Sequence, residues 1–340
     1  MKRLIGTLLL PITFLSIGIS QVTTSGSLRI MFYNTENLFD STDDSLKNDE
    51  EFLPGGLRHW TYSRYHDKLN SIYKVIMAAG NPEPPAIIGL CEVENQEVLN
   101  KLVTSTFLSS FDYRIIQEDS RDSRGIDVCL IYRPGKIKPL NFRYLYPVIL
   151  VEKEYSTRSI LYFPFIYGAD TIHLFINHWP SGRGGVLPDR EARLLLSGMV
   201  IESIDSLSIA GNGKSKVIVT GDFNCLPERN ELLATNNKTI REKSPALLLP
   251  VLPDSDQGIK GSYKYQGQWE LLDQFWVSEY FASCSKGLTA PSSSIVLSKE
   301  FMLKRDPVYP GLMPFSTFRG FSYTGGFSDH LPVILDLLNK

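Results

Sequence analysis

Cysteine and histidine are scarce in this chain. Its 340 residues include four Cys and five His, and no two Cys form a CxxC pair. That argues against a structural zinc site built on the usual ligand spacing. An excess of charge of either sign is also missing: 35 basic residues nearly balance 37 acidic ones, for a net charge of −2. With no polybasic arm, broad electrostatic wrapping of a duplex is disfavoured, while a small footprint on a nucleic acid remains permitted. Long apolar runs are missing as well, except at the start. There "LIGTLLLPITFLSIGIS" follows Lys2 and Arg3, and it falls short of the ~20 residues that a membrane span needs. Gly18 and Ser20 give it a small-residue exit, the layout of a secretory signal peptide. We expect residues 1–20 to be removed, residues 21–340 to form a single domain, and the product to be secreted or periplasmic. The cut has no neighbouring Cys, which argues against a lipid anchor. Cys91 and Cys129 sit inside apolar runs and read as small buried hydrophobes, so we assign no disulfide.

What is present is a regular series of apolar segments. Strand patterns occupy residues 28–34, 86–92, 126–132, 171–177, 216–222, 271–277 and 331–337. Several are apolar almost throughout, as strands covered on both faces are. Helical stripes lie between some of them. Tyr65, Leu69, Ile72, Tyr73, Ile76 and Met77 form one, and Ala192, Leu195, Leu196, Met199, Val200, Ile204 and Leu207 another. A shorter helix is expected after Glu94, with Val98, Leu99, Leu102 and Val103 inward. The fold class is α/β (α+β), with two halves of similar content and no linker between them.

The polar residues mark the ends of these strands. Asn34 and Glu36 follow the first, and Glu92 closes the second. Asn177 and His178 close residues 171–177, and Asp222 and Asn224 close residues 216–222. Asp273 lies inside an apolar segment, and Asp329 with His330 opens the last strand. Each has an ordinary reading alone. Asp-x-Asn after a strand is a common turn former, and an acid before a helix suits its dipole. Asp273 is harder to dismiss, because a buried carboxylate is costly without a partner. Together they form an oxygen-rich donor set, Glu36, Glu92, Asp222 and Asp329 with amides Asn34 and Asn224. Such ligands suit Mg²⁺, with Mn²⁺ or Ca²⁺ as alternatives. His178 and His330 add groups that titrate near neutral pH. A metal, a base and hydrogen-bond donors fit the dispersed negative charge of a phosphate ester.

The motifs "YNTEN" (33–37), "LCEVEN" (90–95), "RGIDVCLIYRP" (124–134), "INHWPS" (176–181), "GDFN" (221–224), "LLDQFWVS" (271–278) and "SDHLPV" (328–333) stand in one order along the chain. In that order the chain resembles the endonuclease/exonuclease/phosphatase superfamily, the pancreatic-type deoxyribonuclease fold. The resemblance runs from about residue 28 to the end. It implies a four-layer αββα sandwich of two facing mixed sheets with helices outside. It implies that Asp222 orients or activates the attacking water and that Asn224 holds phosphate. His330 would contact phosphate and pair with Asp273, and Glu92 would be the principal metal ligand. Asn34 would bind phosphate or metal-bound water, with Glu36 and Asp329 also in the metal shell. A histidine at 178 resembles the pancreatic-type deoxyribonucleases and secreted sphingomyelinases, not the abasic-site endonucleases. We expect His178 to act as general acid or phosphate donor opposite His330, with Asp127 orienting it. Asn177 is expected at the substrate too.

The loop at 181–193 departs from the superfamily's common core. Arg183 there and Arg124 near the same edge are candidate phosphate contacts. The leading reading is a secreted or periplasmic metal-dependent nuclease acting on phosphodiester bonds. The alternatives are a phosphoesterase for a lipid or inositol-phosphate head group and a non-catalytic binding protein on the same fold. We expect a nucleic acid or other phosphate ester as partner, no stable membrane association, and no protein partner.

Overall fold

Alternation along single strands decides which layer each residue enters. In the strand Lys216–Asp222, Ile218 packs between two sheets, while Val217 and Val219 pack beneath a helix. In Asp170–His178, Ile172, Leu174 and Ile176 face the space between the sheets and Phe175 faces the helix. In Asp273–Ser278, Phe275 and Val277 point inward and Trp276 outward. Successive side chains leave a strand on opposite faces, so apolar residues at every position require cover on both sides.

The computed structural model describes residues 27–80, 82–147, 157–181, 186–235, 247–254 and 259–340. The segment read as a signal peptide, and Arg183, lie outside them. Two seven-stranded sheets form the centre. Across the first run Leu288–Thr289, Val333–Asn339, Leu28–Leu38, Ile87–Val93, Asp127–Tyr132 and Arg114–Ile116, with Ile295–Val296 also on Val333–Asn339. Across the second run Leu248–Pro250, Asp273–Ser278, Lys216–Asp222, Asp170–His178, Ile160–Tyr167 and Lys138–Pro139, with Arg143–Leu145 also on Ile160–Tyr167. Both sheets are mixed. Leu28–Leu38 is parallel to Ile87–Val93, and Asp170–His178 is parallel to Lys216–Asp222. A methyl group on Gly89 of the first sheet would meet Ile176 of the second at 2.9 Å, so this glycine sets how closely the sheets approach.

The helices form the outer layers. Tyr62–Ala78 buries Tyr65, Leu69, Ile72 and Ile76, and Gln96–Ser105 buries Val98, Leu99, Leu102 and Val103. Asn95 starts the second of these by accepting a hydrogen bond from the Val98 N–H at 2.9 Å, a side-chain cap for one of the amides left free at a helix start. Val186–Ala210 covers the second sheet through Ala192, Leu196, Val200 and Ile204. The expected sandwich is therefore formed. Among the described residues, no helix is long and apolar enough to cross a membrane. All four Cys are free. Leu90 pairs with Cys129 and Cys91 with Val128, so Cys91 and Cys129 point to opposite faces of their sheet.

One full-length strand escapes the sequence pattern. Ile160–Tyr167 carries Pro164 at its middle, and proline inside an apolar run argues against a central strand. Here the carbonyl of Pro164 accepts from the Leu140 N–H on the outer side. That side is served by two short strands, Lys138–Pro139 and Arg143–Leu145, with a gap between them. The missing N–H of Pro164 falls on this outer side, beside the gap.

Candidate active site

The strand ends meet because their pairings put them side by side. His178 pairs with Asp222, and Asp222 with Asp273. In the first sheet Asn34 pairs with Cys91, one residue short of Glu92. Both pairings of the Glu92 strand then slip: Cys91 matches Val128, but Val93 already matches Asp127. Glu92 is the extra residue of a bulge, with φ +59. Bulges re-aim a side chain at the rim of a sheet. Thr35 fixes this one, its hydroxyl lying 2.8 Å from the Cys91 carbonyl and 3.0 Å from that of Glu92.

The two sheets converge on one carboxylate. The Asn34 side-chain amide donates to Asp222 Oδ2 at 3.0 Å and reaches Glu92 Oε1 at 3.3 Å. His330 Nε2 and His178 Nε2 lie 3.8 and 3.9 Å from Asp222 Oδ2, and His178 Nε2 lies 3.8 Å from Glu92 Oε1. His330 Nδ1 is bonded to Asp273 Oδ2 at 2.6 Å. The Ser328 hydroxyl accepts from the His330 N–H and donates to the Asn34 carbonyl, tying the last strand's approach to the first. Glu92, His178, Asp222 and His330 border a cleft of about 380 Å³, with Asp329, Asn224 and Arg124 also on its walls.

The strand ends at Asp222, and Asn224 takes φ +50. Its N–H donates to Asp222 Oδ1 at 2.9 Å, and its side-chain amide donates to the Trp179 carbonyl at 2.8 Å. A left-handed turn, not strand alternation, brings the two side chains to the cleft. Phe223 is fully buried against Trp179, edge to face, at 4.8 Å between ring centres.

Burial governs the charges. It raises Asp222 to about 7, with His330 acting against the shift and Asp273 adding to it. Asp329 is also raised, first by burial and further by Glu92. His330 goes the other way. Burial opposes its charge, but Asp273 and Asp222 outweigh that and hold the imidazolium well above its ordinary value. Burial, then Arg158, Arg124 and His330, hold His178 well below its own. The site therefore has one charged and one neutral imidazole. The neutral one is a hydrogen-bonding group, not a proton reservoir, which weighs against His178 as general acid.

Three further placements depart from expectation. Glu36 faces away from the cleft: its oxygens accept from the Thr317 and Phe318 N–H groups at 2.6 and 3.0 Å. Buried Lys68 is its nearby counter-charge. Asn177 is fully buried, donating to the Thr220 carbonyl at 3.1 Å and accepting from Trp179 Nε1 at 3.1 Å, so its amide is spent inside the sheet. Asp127 does not orient His178. Its carboxylate accepts from the Ser120 N–H at 2.7 Å and Gln117 at 2.9 Å.

Two groups at the cleft were missed by the sequence. Arg158 is buried there, paired with Asp122 at 3.0 Å and donating to the Trp179 carbonyl at 2.9 Å. It enters at the foot of the proline-interrupted strand, and recognising that strand would have exposed it. Tyr263 lies over His330, with ring centres 4.9 Å apart, and Tyr265 lines the same wall. Their hairpin, Tyr263–Tyr265 with Gln268–Glu270, turns on Gln266 and Gly267, a two-residue signal legible in the sequence.

The donor set fits a divalent cation. Glu92, Asp222 and Asp329 present oxygen at the cleft, and Asp273 Oδ1 is buried with no hydrogen-bond partner among the described residues. Hard oxygen donors suit Mg²⁺, Mn²⁺ or Ca²⁺. Asp222, Asp273 and His330 also lie close enough to hold an ion. His330 is joined to Asp273 through Nδ1, and Glu92 and Asp329 offer further carboxylates at the same cleft.

The sequence matches the endonuclease/exonuclease/phosphatase family profile over residues 29–339. No curated protein sequence matches it. Among solved structures, humanized D. rerio TDP2 superposes with a TM-score of 0.56 at 12% identity, covering 92% of this chain and 99% of that one. The Bacteroides thetaiotaomicron mannosyl-6-phosphatase gives 0.56 at 17% identity, covering 92% and 100%. The human Nocturnin catalytic domain with bound sulfate gives 0.51 at 15% identity, covering 93% and 94%. Likeness at these identities shows the fold, and the profile match over nearly the whole chain shows the family. The chain belongs to the endonuclease/exonuclease/phosphatase family, whose members hydrolyse phosphate esters.

Proposed function

We propose that this protein is a metal-dependent phosphodiesterase, a nuclease exported through its N-terminal leader. The observation that carries the reading is the convergence of Asn34, His178 and His330 on Asp222, with Glu92 beside them. Asp222 accepts the proton of the attacking water, a role suited to a base titrating near neutral pH. His330, kept cationic by Asp273, stabilises negative charge on the phosphoryl oxygens. Neutral His178 and Asn224 hold those oxygens by hydrogen bonds, while Asn34 fixes the carboxylates of Asp222 and Glu92. Arg124 supplies a half-exposed cation at the rim. Glu92 and Asp329 would hold the cation, which when bound polarises the phosphate and favours charge build-up.

The test is hydrolysis of single- and double-stranded DNA, RNA, sphingomyelin and inositol phosphates by the purified protein with Mg²⁺ or Mn²⁺. We expect polynucleotide cleavage that a chelator abolishes. Cleavage undiminished by the chelator would remove the metal from the reading, and loss of all phosphodiester activity would remove the nuclease. A sugar phosphomonoesterase is the second reading, favoured by the likeness to the Bacteroides mannosyl-6-phosphatase. Mannose 6-phosphate in the same assay separates the two.

A further inference from the structure

The cleft does not end at Asn224. Asn224, Glu270 and Leu272 form a wall shared with a second chamber of about 610 Å³. Three arginines line that chamber. Arg193 is fixed in place, bonded to Glu231 at 3.1 Å and to the Pro180 carbonyl at 3.2 Å. Arg190 stands three residues before it on the helix Val186–Ala210, a spacing that shares a face. Arg229 joins the lining from a second element, at the end of the short helix Pro227–Arg229. Arg190 and Arg229 are exposed, and among the described residues neither guanidinium has a hydrogen bond or ion pair. A lone surface arginine is ordinary. Two on converging elements, open and facing one chamber next to a catalytic cleft, make a receptor for a dianion.

We infer that this chamber is a second phosphate subsite, taking a phosphate that neighbours the scissile one. The inference rests on the phosphoesterase reading of the cleft and narrows it to substrates carrying at least two phosphates. Guanidinium groups bind phosphate oxygens through paired, charge-assisted hydrogen bonds. Glu270 on the shared wall repels anions, so a bound chain would keep its two phosphates apart on either side of it. Leu226 and Leu272 leave apolar surface for the sugar or ring between them. A polynucleotide and a polyphosphorylated inositol share this chemistry.

The experiment compares matched substrates with the full chain and Mg²⁺. A dinucleotide with an additional terminal phosphate, at either end, is set against the same dinucleotide without it, and inositol bisphosphate against inositol monophosphate. The wild type should prefer the additional phosphate at one end by about tenfold or more in KM. The double variant R190Q/R229Q should erase that ratio, and its salt dependence of binding should flatten by about one to two charge contacts. The pair that shows the ratio identifies the source of the second phosphate. Equilibrium binding of the same ligands to the D222N protein gives a second readout, independent of turnover. An unchanged preference in R190Q/R229Q, in KM and in Kd alike, overturns the subsite. Absence of hydrolysis of every substrate, with the binding preference intact, overturns the catalytic reading and leaves the subsite standing.

Discussion

At the scale of single residues, the site works by setting apart groups of similar chemistry. Asp222 and Asp273 pair in register, yet one faces the cleft and the other holds His330 Nδ1. Because burial raises Asp222 to about 7, it is protonated below that value and cannot take a proton. Activity should therefore rise with pH toward about 7 in a pH–rate profile. Saturating Mg²⁺ should move this limb lower, since a nearby cation favours the ionised acid. D222N should lower kcat by ~10²–10⁴-fold without unfolding the protein; near-normal turnover would remove Asp222 from the mechanism. D273N should remove the main counter-charge of His330 and make its ring easier to deprotonate. Its kcat loss should be largest above neutrality, and an NMR titration of the His330 ring would read the shift directly.

At the scale of elements, two backbone features hold the site together. Gly221 lies against Asn177 across the parallel pairing, and a methyl group there would sit 2.2 Å from the Asn177 carbonyl oxygen. A backbone atom cannot rotate away, so the strands carrying His178 and Asp222 would have to part. G221A should cost ~1–3 kcal/mol in urea denaturation and should reduce kcat, because it shifts both side chains. The second feature is the left-handed bulge at Glu92. Glycine adopts φ +59 freely, so Glu92→Gly should keep the fold while deleting the carboxylate. The rise in Tm on adding Mg²⁺ should then disappear, whereas an unchanged rise would place the metal elsewhere. The strands and their polar ends were legible as periodicity broken by acids and amides. The bulge was not, because a one-residue slip is defined only against the partner strand.

At the scale of the whole molecule, buried carboxylates set the response to pH. Burial raises Glu36 and Asp222 to about 7 and Glu94 to about 8. All three lie above their unfolded values, so the folded state holds more protons between about pH 4 and pH 8. Stability must fall as pH rises through that window. Without metal, Tm should be higher at pH 5.5 than at pH 8, and Mg²⁺ should recover more at pH 8, where the cleft acids are ionised. A Tm that climbs from pH 5.5 to pH 8 in chelator would contradict these charge assignments. The sandwich was implied by the family resemblance, whereas apolar residues on both faces of strands demand only cover on both sides. The strand Ile160–Tyr167 was not readable, because its proline is tolerated only at a gap that two distant short strands create.

The sequence by itself determined the alternating strands, the helix stripes, and the acids, amides and imidazoles at strand ends, since these follow from local periodicity and residue chemistry. Tertiary structure decided which of them meet. Asn34 and Asp222 are 188 residues apart and touch only because the two sheets face each other. Asn177 and His178 are adjacent in sequence, yet one amide is consumed inside the sheet and the other ring reaches the cleft. The turn that sets Asn224 beside Asp222 is left-handed at Asn224. The second chamber exists only where a helix and a loop converge beyond that turn. The physical reason is that side-chain direction repeats locally along a strand, whereas register, bulges and the facing of sheets are properties of pairs.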